Sequence, residues 1–277
     1  VFPERTTTSI GRPRLNVAVG PDNGPPLVLF HGVCRRWQDF GYVVAALSTR
    51  WRVSAVDHRG HGRSERAARY LVADYVADAV ALLHEIGEPA LVVGHSLGAL
   101  VALGVAAEVP ELVRGIVLED PPSPGFLANL DKTAYGAQFQ AIRQLAGNPA
   151  VGETARALAN VTLPGGVKLG DRRDAAALRF MARCLADLDP AVLDPVLNGH
   201  WLDGYDPFDA ASRVRCPALL LAADPAQGGM IPPADADTFA ARLADCARVD
   251  LPDCAHLIHG TRPETFLRLT LGFLDSI

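Results

Sequence analysis

Nowhere in the 277 residues do 18 uncharged apolar residues follow one another, so no segment predicts a membrane-spanning helix. The first residues, Val1-Phe2-Pro3-Glu4-Arg5, lack the basic stretch and apolar run of a secretory leader. The expectation is a cytoplasmic protein. Basic residues are not in excess: 26 Lys+Arg stand against 31 Asp+Glu, a formal net charge of −5. With no basic stripe there are few counterions to release, which argues against nucleic acid or an anionic membrane as partner. Cysteines are few and odd in number, at Cys34, Cys184, Cys216, Cys246 and Cys254. No C-x-x-C pair or Cys/His cluster has zinc-ligand spacing, so the thiols are expected to pack as small hydrophobes in a reducing compartment. Internal repeats and low-complexity tracts are also missing. With 49% hydrophobic and 21% charged residues, the composition excludes a disordered chain. The length fits one large domain, or one domain carrying an insertion.

What is present is an alternation. Short apolar runs at Leu27–Phe30, Val53–Val56, Ala90–Val93, Gly115–Leu118 and Ala218–Ala222 are bounded by glycine or proline in most cases. Runs apolar on both faces suit a parallel sheet covered by helices. Between them, Tyr70 to Ile86 carries Val72, Val76, Val80 and Leu83 at a period near 3.6, which predicts a helix. Ser96 to Val109 is rich in Ala, Leu and Val without proline and predicts a buried helix. Strand–helix alternation of this kind predicts a doubly wound α/β fold. It breaks over residues 122–212, where the chain turns helical and polar, with loop signals at Gly147-Asn148-Pro149, Pro164-Gly165-Gly166 and Asp206-Pro207. The expected division is a core of 1–121 and 213–277, with 122–212 as a helical cap inserted over the sheet. The aromatic residues Phe126, Tyr135, Phe139, Phe180, Trp201 and Tyr205 lie in that insertion. Of these Phe126, Trp201 and Tyr205 are expected to reach the substrate, because pockets are lined by aromatic groups.

The strongest chemical signal is Gly94-His95-Ser96-Leu97-Gly98, a G-x-S-x-G pentapeptide that follows an apolar run and opens a helix. That context turns a common pattern into a nucleophile elbow. Small residues on both sides permit the sharp turn, and the helix N-terminus offers free N–H groups and partial positive charge. Phe30-His31-Gly32-Val33, after an earlier strand, matches the loop that supplies the second oxyanion donor. The expected donors are the backbone amides of Val33 and Leu97. His31 beside them is read as loop-fixing or substrate-facing rather than as the base. Asp57-His58-Arg59-Gly60-His61-Gly62-Arg63-Ser64 is expected to build a rigid turn.

Taken in order, H-G, D-x-R-G-H-G-x-S, G-H-S-L-G and a late histidine resemble the α/β-hydrolase superfamily over about residues 15–121 and 214–277. The resemblance implies an α/β-hydrolase fold: a mostly parallel central sheet flanked by helices, with a variable helical cap. It also implies a triad in the chain order Ser, acid, His. Serine at the elbow sets the chain apart from relatives whose nucleophile is aspartate. The family pattern around Ala255-His256 and Pro263-Glu264 implies His256 as base, with His259 the alternative. For the acid the alternatives are Asp120, Glu119 and Asp224. Asp120 stands 24 residues after Ser96, the separation seen in one group of relatives. In the other group the acid precedes a hydrophobic-Pro pair by about four residues, whereas Gly228 stands four before Pro232 here. The spacing favours Asp120.

The implied activity is hydrolysis of a carboxylic ester or lactone through an acyl-enzyme, with no metal and no cofactor. Gly11, Gly20 and Gly24 form no dinucleotide or phosphate loop. Other users of the same residues are an acyltransferase, a perhydrolase, a carbon–carbon hydrolase, or a ligand-binding receptor on the hydrolase fold. Leu118–Pro122 together with Ala223–Gly229 is similar to a subgroup of bacterial hydrolases that includes serine-dependent macrolide esterases. Arg143, Arg172, Arg173, Arg179 and Arg183 of the insertion are candidates for holding a substrate carboxylate. The expected partner is a small-molecule substrate.

Overall fold

A computed structural model describes residues 2–9, 11–163 and 166–277. Eight strands form one sheet: β1 (Glu4–Thr6), β2 (Asn16–Val19), β3 (Pro26–Phe30), β4 (Arg52–Val56), β5 (Ala90–His95), β6 (Val113–Glu119), β7 (Ala218–Ala223) and β8 (Cys246–Leu251). Their order is β1-β2-β4-β3-β5-β6-β7-β8. The β1–β2 and β2–β4 pairs are antiparallel and every other pair is parallel. The sheet is therefore the mostly parallel one expected from the apolar runs, each of which lies in one of β3 to β7. The strands without such a run are β1, β2 and β8. The edge strand β8 mixes Arg248 and Asp250 with apolar residues and stays partly exposed.

Alternate residues of the buried strands feed two cores. Val28 and Phe30 of β3 pack with Val92 of β5 and Leu118 of β6 on one face. Leu27, Leu29, Val93 and Val117 pack on the other. This is the period-2 geometry of a strand buried on both sides. The first face is covered by the helices Val72–Ile86 and Leu97–Glu108, which pack on each other. Leu97 through Ala106 are all buried, as a helix apolar around its whole circumference requires. The second face is covered by Pro263–Leu274 and by the turns around Phe40 and Leu47.

Between β6 and β7 the chain is helical, with Ala134–Leu145, Val151–Ala159 and Ala175–Ala186 the longest elements. Thr133 and Asp174 cap two of these helices with side-chain oxygens. Of the loop signals, Gly147 adopts φ 77° after a helix and Asp206 caps Pro207–Arg213, while Pro164 and Gly165 lie outside the described residues. The segment is tied down onto the core: Tyr70 Oη donates to Asp189 at 2.7 Å, and Arg36 pairs with Asp187 at 3.0 Å. Its last part returns to the core, where Pro207–Arg213 packs on the helix Leu97–Glu108.

Candidate active site

Parallel strands end on a common edge, and that edge is where side chains from different strands can meet. Ser96 follows β5, Asp120 follows the neighbouring β6, and His256 follows β8. Ser96 has φ 55° and ψ −117°, outside the helical and extended regions. The flanking glycines make that turn possible. A Cβ on Gly94 would overlap the Gly98 carbonyl, and one on Gly98 would overlap the Phe30 carbonyl of β3. Three of the four non-glycine residues with positive φ among the described residues are Cys34, Ser96 and Asp120. Strain is thus gathered at this edge.

Asp120 is fully buried, and its carboxylate accepts from Ala223 N–H at 3.1 Å and Met230 N–H at 2.8 Å. The third donor is His256: Nδ1 lies 2.6 Å from Asp120 Oδ2. An acceptor-only carboxylate there puts the proton on Nδ1 and leaves Nε2 as the basic nitrogen. His256 keeps 13% of its side chain exposed and packs between His95, at 4.6 Å between ring centroids, and Tyr135, at 5.9 Å. Ser96 Oγ lies 4.0 Å from Met230 Sδ and is not hydrogen-bonded to His256 in this rotamer, but both side chains line one cavity. Such contacts are commonly loose before a ligand draws them together. The amides of Val33 and Leu97 have no intramolecular acceptor among the described residues. Leu97 is the first residue of its helix, where N–H groups have no partner within the helix.

The other candidates lie elsewhere. Asp224 does not meet His256; its carboxylate caps the turn after β7 through Ala226 N–H at 2.8 Å and accepts from Asp253 N–H at 3.1 Å. It therefore steadies the loop on which His256 sits. Glu119 takes His259 instead, with Oε1 2.8 Å from the His259 amide and Oε2 2.7 Å from Nδ1. His259 is fully buried. Burial alone would lower its pKa, but Glu119 and Asp39, 3.6 Å from Nε2, raise it to about 9. His31 does not reach the cavity: it is buried, with Nδ1 2.7 Å from Gly32 O and Nε2 accepting from His58 N–H at 3.1 Å. Burial lowers its pKa to about 3 and that of His61 to about 4, so both stay neutral. Asp57 closes the glycine-rich turn, accepting from Trp37 N–H at 2.7 Å and Arg63 N–H at 3.0 Å.

The cavity above Ser96 has a volume of about 540 Å³. Trp201 and Tyr205 are not in its wall, because the segment carrying them has already returned to the core. Trp201 is buried, with its carbonyl accepting from Val72 N–H at 3.0 Å, and Tyr205 Oη donates to Leu100 O at 2.8 Å. Phe126 stands one layer back, edge-on to Tyr135. The aromatic walls are Tyr135, whose hydroxyl donates to Gly228 O at 2.8 Å, and Phe139. The chain's only two methionines, Met181 and Met230, are also in the wall. No sequence signal singled them out, since Met is an ordinary core residue. Arg143 and Arg183 are paired with Asp194 and Asp187, and Arg179 is exposed. Arg172 and Arg173 do line the cavity, joined by Arg35 from the loop after β3, which sequence reasoning missed. The Cys34 thiol, also at the wall, is pushed up by burial and makes a poor nucleophile. All five cysteines are free. Among the described residues no helix is long and apolar enough to cross a membrane, and no group of three or more His, Cys, Asp or Glu side chains could hold a metal ion.

Residues 27–269 match the model of the alpha/beta hydrolase family. The chain is 30% identical over 254 residues to the pimeloyl-[acyl-carrier protein] methyl ester esterase of Chromobacterium violaceum, covering 91% of this chain and 95% of the relative. It is 39% identical to the 2-(acetamidomethylene)succinate hydrolase of Mesorhizobium japonicum over 113 residues, only 40% of each chain. The crystal structure of an E-2-(acetamidomethylene)succinate hydrolase superposes with a TM-score of 0.78 at 24% identity, covering 99% of this chain and 100% of that one. These matches do not bear on the narrower likeness to macrolide esterases.

Proposed function

The chain belongs to the alpha/beta hydrolase family, and on that premise we propose that it cleaves a carboxylic ester or lactone through an acyl-enzyme, with Ser96 as nucleophile, His256 as base and Asp120 as the orienting acid. The observation that carries this reading is the 2.6 Å contact between His256 Nδ1 and the buried Asp120 carboxylate, beside a strained Ser96. Whole-length similarity to a methyl ester esterase supports an ester as the bond attacked. His256 Nε2 takes the Ser96 hydroxyl proton as Oγ attacks the acyl carbon, and then returns it to the departing alkoxide. The amides of Val33 and Leu97 hold the oxyanion, each worth roughly 3–4 kcal/mol of transition-state stabilisation. Water, deprotonated by His256, then releases the acid. Residues 122–212 act as the cap that walls the substrate from solvent. Five free thiols support a cytoplasmic setting.

The test is turnover of p-nitrophenyl esters from acetate to octanoate by the wild type and three variants. Ser96→Ala is expected to abolish it. Asp120→Asn should lower kcat by about 10⁴-fold, because the wrong tautomer then faces Ser96. Asp224→Asn should cost far less. If Asp224→Asn proves the crippling change and Asp120→Asn does not, the assignment of the acid is wrong. Failure of a fluorophosphonate to label Ser96 would count against the acyl-enzyme itself.

A further inference from the structure

The charge on the cavity wall runs against the charge of the chain. The molecule carries 31 acidic against 26 basic residues, yet the wall above Ser96 includes Arg35, Arg172 and Arg173 and no Asp or Glu. Their surroundings differ. Arg35 Nε lies 3.2 Å from Asp39 Oδ1, and that carboxylate is shared with His259, so the pair fixes the guanidinium without leaving a spare negative charge. Arg173, half-buried, makes no ion pair with a carboxylate among the described residues, and neither does the exposed Arg172. Asp174, next in sequence, is engaged as the cap of Ala175–Ala186 through Ala177 N–H at 2.8 Å. Burial and the neighbouring Arg35 work against the charge on Arg173, and Asp39 and Asp174 offset them only in part. An arginine stays ionised even so, and a partly desolvated cation without an ion pair gains when an anion meets it. The same three arginines also line a second cavity of about 540 Å³, whose wall includes Asp39 and Asp174.

We propose that the substrate is an ester that also carries a carboxylate, and that Arg173, with Arg35 held beside it, binds that carboxylate while the ester carbonyl sits at Ser96. The planar fork of a guanidinium matches a carboxylate in a bidentate manner, which orients as well as attracts. A cavity walled by Tyr135, Phe139, Met181 and Met230 covers the apolar length between the two polar ends. This inference rests on the reading of Ser96 as nucleophile for its account of catalysis, though not for its account of binding.

Two measurements separate the two claims. First, kcat/KM is compared for mono-4-nitrophenyl adipate and 4-nitrophenyl hexanoate, in which a methyl group ends the acyl chain. Wild type should prefer the anionic ester, and the ratio of the two should fall by about 10- to 100-fold in Arg173→Gln. Arg173→Lys, which keeps charge but not the fork, should recover part of it. Second, binding of adipate to the wild type and to Arg173→Gln is followed by calorimetry, with thermal melts to confirm that the variant is folded. Adipate should bind at least about 10-fold more weakly to the variant. That result upholds the anion site even if a fluorophosphonate fails to label Ser96, which would strike only the acyl-enzyme. Labelled Ser96 with no adipate binding, or an ester preference indifferent to Arg173, overturns the proposal. So does inorganic phosphate displacing adipate at lower concentration than adipate's own affinity, which would assign the arginines to a phosphate.

Discussion

Two histidines three positions apart receive different fates from their neighbours. His256 pairs with Asp120 and keeps one edge open to the cavity, while His259 is sealed between Glu119 and Asp39 and stacked on Phe40 at 4.6 Å. The sealed histidine is a buried cation in a chain of alternating charges, Arg35–Asp39–His259–Glu119, that reaches the cavity wall at Arg35. Its pKa of about 9 lies above the ordinary 6.5, so the folded state holds its proton more tightly than the unfolded chain does. The stabilisation is complete below about pH 6.5 and is lost as pH rises through 9. Unfolding free energy should therefore decline across that window, by at most about 1.4 kcal/mol per pH unit. Chemical denaturation at stepped pH checks this, and His259→Gln should remove most of the slope. Asp39 shows the opposite case. Burial opposes its ionisation, but Arg35 and His259 together lower its pKa to about 2, so its contribution is present above pH 3.8 and fades toward 2.

The strand–turn–helix unit of β5 and Leu97–Glu108 carries the tightest backbone contacts near the site. A methyl group at Gly98 has nowhere to go, because the Phe30 carbonyl of β3 occupies its place. Gly98→Ala should destabilise by about 3 kcal/mol or more, or prevent folding, as overpacking against rigid backbone does. A urea titration would read it, and a variant as stable as wild type would contradict the geometry. On the outer side of the same helix, Tyr205 donates to Leu100 O. Tyr205→Phe removes one hydrogen bond and no packing, so the expected loss is about 1 kcal/mol with ester kcat/KM preserved. A large drop in kcat/KM would return Tyr205 to the pocket wall.

Over the whole molecule, function is concentrated where segments distant in sequence converge. Both methionines of the chain meet at one cavity, Met230 also supplying an amide to Asp120. Oxidation to the sulfoxide would place a polar group on an apolar wall. Brief peroxide treatment is expected to lower ester turnover with little change in melting temperature, and a Met181→Leu, Met230→Leu double variant should resist it. Activity loss of equal size in the double variant would point to another target. The excess of acid over base in the chain makes the three arginines at the cavity all the more local a feature.

The amino-acid order alone determined β3 to β7, the buried helix after Ser96 and the elbow between them. Each is a local signal: consecutive apolar residues, a 3.6 period, or two glycines around a serine decide backbone geometry within a few residues. The edge strands β1 and β8 and the short β2 carried no such signal, because short or mixed-charge strands look like loops until a neighbour pairs with them. For the partner of His256 the spacing from Ser96 favours Asp120, but spacing along the chain does not fix which carboxylate the ring reaches. Asp120 and Asp224 both end strands, and only the path of the loop after β8 brings the ring to one of them. Trp201 and Tyr205 have the aromatic character of pocket walls, but the chain turns back to Leu97–Glu108 before reaching β7 and carries them away from the cavity. Arg35, Arg173, Met181 and Met230 share a cavity although they come from three separate segments, and side chains brought together only by packing leave no pattern along the chain.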